Sequence, residues 1–252
     1  NGTNIIKHFH NHGFITGQSN NICSRELYDI EPGYIENLHW ESFDHENIAL
    51  FCDPNFFNPE NPFTPYMGPY SVRKRCLYGR NTHEYVLEYG EKFWETYLEE
   101  KKFLRLSFQD AHEGTGEVVR YLDEYLAEFL TKFDNKGYLD KTAIFIVSDH
   151  GNNMIGFYNI FGCPDFNKEK TLASWYMLLP KELKDYEENM RFNENTMVTP
   201  YDIFDTLLSL INEDKNFPSA NGKSVLKNKI YGGDRTCKKY KLDLLDLWCR
   251  CD

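Results

Sequence analysis

Two pairs of aspartate and histidine directly follow apolar stretches of the sequence, and together they could hold a divalent cation. Asp110 and His112 follow the first stretch, and Asp149 and His150 follow the second. Carboxylate oxygen combined with imidazole nitrogen suits Zn²⁺ or Mn²⁺ better than Ca²⁺ or Cu²⁺. Such a cation would also offset the repulsion between an acidic chain and an anionic substrate. The sequence therefore predicts one divalent metal ion, Zn²⁺ or Mn²⁺ with Ca²⁺ or Mg²⁺ as alternatives.

The two apolar stretches, residues 103–108 and 143–147, have the pattern of strands joined by a helix. Between them, apolar residues recur every three or four positions from Val118 to Phe133, as on one face of a helix. A continuous apolar run such as 143–147 is typical of a parallel strand buried on both faces. Parallel strands end at a common edge of the sheet, where open α/β sheets bind ligands. We therefore expect the two aspartate–histidine pairs to gather at one edge.

The rest of the chain is predicted to form one α/β domain over residues 1–236, with a loop excursion over about 17–80. A cysteine-bearing tail follows over 237–252. The Asp44-His45 dipeptide lacks a preceding apolar stretch and is predicted to lie in the loop. Further helices are predicted over 4–12, over 83–99 and from 200 onward, and further strands over 14–16 and 174–179.

Composition excludes several classes of protein. The chain has 252 residues, of which 41% are hydrophobic and 27% charged, which is too apolar for a disordered protein. Lys and Arg total 28 against 39 Asp and Glu, and a net charge of −11 argues against binding to nucleic acid. No stretch approaches the roughly 20 apolar residues that a spanning helix needs, so no membrane span is predicted.

The cysteines favour disulfides, although seven unrelated thiols are the alternative. Their spacing contains no Cys-x-x-Cys and no zinc-finger pattern. Asn1-Gly2-Thr3 is an N-glycosylation sequon. An extracellular, cell-surface or secretory location is therefore predicted, with Asn1 as a glycosylation site. The candidate disulfide cysteines are Cys23, Cys52, Cys76, Cys163, Cys237, Cys249 and Cys251.

The segment Ser148-Asp149-His150-Gly151 resembles the Ser-Asp-His-Gly metal motif of the alkaline phosphatase/sulfatase superfamily. The wider stretch 109–154 is similar to a narrower group, the sulfatase-like extracellular proteins of unknown function, and so are 170–180, 198–208 and 237–251. The resemblance implies a three-layer α/β/α sandwich with a mostly parallel, alkaline-phosphatase-like sheet. It also implies attack on phosphorus or sulfur by a metal-activated nucleophile.

The resemblance implies a role for each candidate residue. Asp149 and His150 would bind the metal, and Asp110 would be a further ligand in a two-metal version of the site. His112 would act in catalysis by contacting the anionic group or the leaving oxygen of the substrate. Lys170 would bind the substrate, and a solvated surface charge is the alternative for that residue.

The sequence also departs from the superfamily. It has no Cys-x-Pro-x-Arg sulfatase signature, and no histidine follows His150. In the family, the nucleophile and the first acidic ligand precede the segment with which this chain begins. The chain opens within a predicted helix-to-strand unit, so we expect it to be incomplete at the N-terminus. Its partner would then be the missing N-terminal part of the same protein.

Three functions are compatible with these patterns. The first is a metal-dependent hydrolase or transferase that acts on phosphate or sulfate esters as part of a longer ectoprotein. The second is a degenerate, non-catalytic relative with a binding or assembly role. The third, a lectin-like or adhesive module, is suggested only by the 16% aromatic content.

Overall fold

A computed structural model describes residues 5–23, 43–53, 76–112, 116–151, 170, 172–211, 222–232 and 235. The chain divides into two compact units, the first of residues 1–132 and 152–161 and the second of residues 133–151 and 162–252. Within the described ranges, five α-helices and seven short strands make the protein a mixed α/β structure with a small parallel sheet.

The first unit is built on a parallel sheet in which β1 (Ile15–Asn20) lies between β2 (His45–Asn47) and β5 (Lys102–Ser107). Ile15 of β1 is in register with Lys102 of β5, and Gly17 of β1 is in register with His45 of β2. Strands β3 and β4 form a separate antiparallel hairpin. The elements are α1 (Ile5–Asn11), β1 (Ile15–Asn20), β2 (His45–Asn47), β3 (Cys76–Leu77), β4 (Arg80–Asn81), α2 (Thr82–Thr96), β5 (Lys102–Ser107) and α3 (Val119–Asn135), which continues into the second unit.

Local sequence explains where α2 begins and what it buries. Asn81 is the N-cap of α2, and its backbone N–H donates to Glu84 Oε1 over 2.9 Å in a capping box. Val86 of α2 packs in the core of the first unit with Phe51 and Leu77. The capping box therefore sets where α2 begins, and Val86 anchors the helix in the core of the first unit.

The second unit contains an antiparallel pair of strands and two helices. Its elements are β6 (Ile144–Val147), β7 (Trp175–Leu178), α4 (Glu187–Asn193) and α5 (Pro200–Ile211), with 3₁₀ turns over Tyr138–Lys141 and Lys181–Tyr186. Ile144 pairs with Leu178, and Val147 pairs with Trp175. Leu208 of α5 is fully buried, as is Ile230 in the segment that follows.

A buried ion pair holds the start of α5. Thr199 precedes Pro200, the first helical residue, and both its backbone N–H and its hydroxyl donate to Asp202 Oδ2 over 2.7 Å. Arg235 binds the same carboxylate through both terminal nitrogens at 2.8 and 2.7 Å. The Lys223 backbone N–H also donates to Asp202, so one carboxylate holds both Lys223 and Arg235 at the start of the helix.

Most predicted elements are present, with small shifts at their ends. The helices predicted over 83–99 and from 200 onward are confirmed as α2 and α5, and the strand predicted over 174–179 is confirmed as β7. The stretch 103–108 forms β5, and the periodic segment that follows forms α3. The predicted tail 237–252 lies outside the described residues.

Two predictions about strands are corrected. Within the described residues β6 pairs antiparallel with β7, and Val147 is 45% exposed, so the expected parallel strand buried on both faces is not observed. Within the loop predicted at Asp44-His45, Asp44 lies in a bend, but His45 is instead the first residue of strand β2, which pairs with β1. An apolar run does not define strand direction, and the sequence His-Glu-Asn of β2 carries no hydrophobic signal.

None of the helices in the described ranges is both long and apolar enough to cross a membrane.

Candidate functional site

The backbone after β6 is held by hydrogen bonds on either side of Asp149 and His150. Beyond the last strand pair, the Ser148 N–H donates to the Ser174 carbonyl over 3.0 Å, and the Ser174 N–H donates to Ser148 Oγ over 2.7 Å. The Gly151 N–H then donates to the Lys170 carbonyl over 3.0 Å. Residues 148–151 are therefore bonded on both sides of the aspartate–histidine pair.

The hydrogen bonds of His150 determine which nitrogen is available to a metal. Its Nδ1 lies 2.6 Å from the Gly151 carbonyl oxygen, which can only accept, so Nδ1 carries the proton. In the neutral imidazole, Nε2 then has the free lone pair, and this arrangement is typical of metal-binding histidines. The sequence motif alone gave no information on this tautomer.

One carboxylate oxygen of Asp149 lies close enough to His150 Nε2 for both atoms to bind the same metal ion. Asp149 Oδ2 is 3.6 Å from His150 Nε2, while Asp149 Oδ1 accepts the His150 backbone N–H over 3.0 Å. Two ligand atoms that are each about 2 Å from one Zn²⁺ are separated by roughly 3–4 Å. The pair therefore fits two of the ligands of a divalent ion. The Asp149 side chain is 88% exposed, so its carboxylate is accessible to a metal ion that arrives from solvent.

The backbone of Lys170 is hydrogen-bonded to Gly151, next to Asp149 and His150. Its carbonyl accepts the Gly151 N–H, and the residue is half-buried. The predicted substrate residue and the predicted metal residues of the Ser-Asp-His-Gly motif are therefore neighbours within the second unit. The roles of Asp149, His150 and Lys170 stay predictions.

Asp110 is the centre of a buried hydrogen-bond network in the first unit. It lies three residues after the end of β5 and is 1% exposed. Asp110 Oδ2 accepts the Asn21 Nδ2–H over 2.8 Å, and Asp110 Oδ1 lies 2.9 Å from His83 Nδ1. Asn21 also donates to Thr82 Oγ1 over 3.2 Å and accepts the Gln109 N–H over 2.8 Å. The network links the ends of β1 and β5 to the start of α2.

His112 is carried by the turn that this network holds. Its backbone N–H donates to the Gln109 carbonyl over 3.0 Å, and the residue is half-buried. Asp110 and His112 belong to the first unit, whereas Asp149 and His150 belong to the second. The expected gathering of the two pairs at one edge therefore stays a prediction.

His83 was not singled out by the sequence. It is 2% exposed, its Nδ1 bonds Asp110, and its ring centroid lies 4.9 Å from that of Tyr125. Within the described part of the chain, His83 Nε2 is buried without a hydrogen-bond partner. The only available signal was a histidine at the start of a helix, which carries no motif, so only the tertiary structure brings it to Asp110.

The remaining predicted residues are partly described. Cys23 and Cys52 form a disulfide, and Cys76 is exposed and free. Asn1 and the cysteines Cys163, Cys237, Cys249 and Cys251 lie outside the described residues. Among the described histidines, cysteines and acids, no group of three or more is arranged to hold a metal ion.

Fold and site together define a mixed α/β protein in which aspartate–histidine pairs follow two of its strands. Residues 66–252 match the model of a family described as a protein of unknown function (DUF229). The match covers most of the chain, and the protein belongs to this family. Neither the curated proteins nor the solved structures contain a match to the chain.

Proposed function

We propose that the chain is the C-terminal portion of a metal-dependent phosphoester or sulfoester hydrolase or transferase of the sulfatase-like type. Membership of DUF229, a family generally associated with sulfatase-like proteins, supports this proposal. The fold would then be part of a three-layer α/β/α sandwich with an alkaline-phosphatase-like sheet. The Cys23–Cys52 disulfide supports an extracellular or cell-surface location, where disulfides persist.

The geometry of Asp149 and His150 carries the proposal. The 3.6 Å separation of Asp149 Oδ2 and His150 Nε2, with Nδ1 donating to a carbonyl, suits joint binding of one Zn²⁺ or Mn²⁺. A divalent ion there would supply Lewis-acid polarisation of an ester oxygen. The resemblance assigns the nucleophile and a further acidic ligand to a segment that precedes Asn1.

His112 and Lys170 would then act on the substrate. An imidazole can donate a hydrogen bond to the anionic group or a proton to the leaving oxygen. The Lys170 ammonium would offset the negative charge of a phosphate or sulfate group. Because the chain carries a net charge of −11, a local cationic group is needed where an anionic ester approaches.

The test is turnover by the protein in its natural length. Nitrophenyl phosphate, bis-nitrophenyl phosphate and nitrophenyl sulfate separate monoester, diester and sulfate hydrolysis, with metal content measured on the same samples. We expect His150→Ala to remove bound metal and lower the rate by roughly a thousandfold or more. We expect His112→Ala to lower the rate while metal content stays nearly unchanged.

The alternative function is a non-catalytic sulfatase-like subunit that binds or assembles with other molecules. Failure of the natural-length protein to hydrolyse any of the three esters, together with no bound metal, would favour this alternative. Turnover that is unaffected in His150→Ala would contradict the assignment of the site itself.

A further inference from the structure

We propose that His83 and Asp110 form a positioning pair that fixes the turn bearing His112, and that Asp110 acts through this turn rather than as a metal ligand. The role of His112 on the substrate rests on the proposed function. The positioning of the turn by the pair does not, because it can be measured without substrate.

The first argument is that both oxygens of the Asp110 carboxylate already accept hydrogen bonds. His83 lies at Oδ1 and Asn21 at Oδ2, at 2.9 and 2.8 Å. The side chain is 1% exposed, whereas Asp149 is 88% exposed. A carboxylate that is enclosed and bonded on both oxygens is suited to hold protein groups in place.

The second argument is that the network ends on the turn that carries His112. Asn21 Oδ1 accepts the Gln109 N–H over 2.8 Å, and the Gln109 carbonyl accepts the His112 N–H over 3.0 Å. Asp110 lies between these two residues in sequence and is bonded to both Asn21 and His83. The turn is therefore held from α2 and from the end of β1, which fixes the backbone from which His112 extends.

The third argument concerns His83 itself. A buried imidazole nitrogen without a partner destabilises a fold, and His83 Nε2 has none within the described residues. A phenylalanine would fill the same space without that cost. The hydrogen bond from Nδ1 to Asp110 is the interaction that a histidine provides here and an apolar ring does not.

Amide variants of His83 separate the two ring nitrogens. An asparagine amide nitrogen takes the position of Nδ1 and can donate to Asp110, whereas a glutamine amide nitrogen takes the position of Nε2. We expect His83→Asn to keep the turn ordered. We expect His83→Gln and His83→Phe to raise the hydrogen-exchange rate of the Gln109 and His112 amides about tenfold or more.

A control variant removes the effect of general destabilisation. Val86 is fully buried on the same helix, where it packs with Phe51 and Leu77, and its side chain has no hydrogen-bonding atom, so Val86→Ala lowers stability without removing the bond to Asp110. The amide exchange rates are compared after each has been corrected for the change in the free energy of global unfolding of that variant. We expect Val86→Ala to leave corrected exchange at Gln109 and His112 within about threefold of the wild type.

The imidazole resonances of His112 give a second readout of the same turn. We expect them to keep wild-type chemical shifts in His83→Asn and to shift or broaden in His83→Gln. Equal perturbation in both amide variants, or corrected exchange no faster than in Val86→Ala, would overturn the positioning role of His83.

Metal binding distinguishes this inference from the proposed function. We expect Asp110→Asn to leave Zn²⁺ affinity within about threefold of the wild type, whereas His150→Ala lowers it at least a hundredfold. A hundredfold loss in Asp110→Asn would overturn the inference and make Asp110 a ligand. If the wild type binds no Zn²⁺ or Mn²⁺, the proposed function fails, while the exchange and resonance measurements still decide the positioning role.

Discussion

The two units each bury an aspartate, Asp110 at 1% exposure and Asp202 at 0%, but the two carboxylates are held differently. Asp202 is paired with the guanidinium of Arg235 and also accepts backbone N–H groups from Thr199 and Lys223. Asp110 accepts hydrogen bonds from the imidazole of His83 and the amide of Asn21. The comparison therefore separates a carboxylate bound by a guanidinium from one bound by an imidazole and an amide.

The difference indicates what each carboxylate is for. The Asp202 carboxylate joins Thr199, Lys223 and Arg235 of the second unit and is matched to a guanidinium, so its role is to stabilise the fold. The Asp110 network fixes a turn with a candidate catalytic histidine, and it leaves His83 Nε2 without a partner within the described residues. A buried network that includes a nitrogen without a hydrogen-bond partner is expected where precise side-chain geometry matters more than the stability of the fold.

The largest effect should follow from breaking the buried ion pair of the second unit. Arg235→Met keeps much of the side-chain volume but leaves the Asp202 carboxylate buried without its cation. We expect the free energy of unfolding to fall by about 3–5 kcal/mol, measured by urea denaturation. The control is Glu188→Gln, which removes the exposed ion pair with Lys229 and should leave the unfolding midpoint unchanged. Equal small effects from both variants would contradict a stabilising role for the Asp202 cluster.

The next effect concerns the disulfide of the first unit, which begins two residues after Asn21. The cysteines are 29 residues apart in sequence, and a loop of that length predicts about 3–4 kcal/mol of stabilisation. We expect the double variant Cys23→Ala/Cys52→Ala to lose about that much and to speed exchange of the Asn21 amide. The control Cys76→Ser changes an exposed free thiol and should have little effect. A disulfide that can be removed without changing either measurement would show that the network does not depend on it.

Two glycines provide a third comparison between the units. A Cβ on Gly17 of β1 would lie 2.6 Å from the side-chain ring of Phe93, whereas a Cβ on Gly222 would meet the backbone carbonyl oxygen of Tyr201, which is fixed by the helix. We expect Gly17→Ala to cost about 1–3 kcal/mol of unfolding free energy, and Gly222→Ala to cost more. A larger loss from Gly17→Ala, measured by thermal and urea denaturation, would contradict the expectation that the backbone contact at Gly222 is the less tolerant of the two.

The smallest effect is the pH dependence that Asp44 of the first unit contributes to stability. Burial raises the pKa of Asp44, but hydrogen bonds from Thr16 and the nearby His10 outweigh it and lower the pKa below its usual range. The stabilisation is therefore complete above the ordinary carboxyl pKa of about 3.9 and is lost as the pH falls through the lower pKa of the folded protein. We expect Asp44→Asn to flatten the decrease of stability in acid. An unchanged acid limb of the unfolding curve would refute this contribution.

The sequence predicts elements whose signals are local. The Thr199-Pro200-Tyr201-Asp202 cap predicts α5, and the spacing of apolar residues predicts α2 and α3. The ion pair of Asp202 with Arg235 joins residues 33 positions apart, and the pairing of β6 with β7 depends on a partner strand rather than on its own pattern. These contacts are set by tertiary packing, so no local pattern predicts them.

The candidate site likewise contains residues that local sequence predicts and residues that only the tertiary structure brings together. Asp110, His112, Asp149 and His150 could be selected because each pair follows an apolar stretch. His83 could not, because a histidine at the start of an amphipathic helix has no distinctive spacing, and its 2.9 Å contact with Asp110 spans 27 residues. The tautomer of His150 also depends on a carbonyl position that only the folded backbone provides.

Metal binding to the natural-length protein tests the central claim most directly. The chain contains the same dipeptide twice, as Asp149-His150 and as Asp44-His45, and His45 Nε2 lies 2.6 Å from the Tyr97 hydroxyl rather than open to a metal. Equilibrium dialysis with Zn²⁺ and Mn²⁺ should give one bound ion per chain in the wild type and in His45→Ala. In His150→Ala the affinity should fall at least a hundredfold. Binding that survives His150→Ala, or that is lost equally in His45→Ala, would contradict the assignment of the metal site to Asp149 and His150.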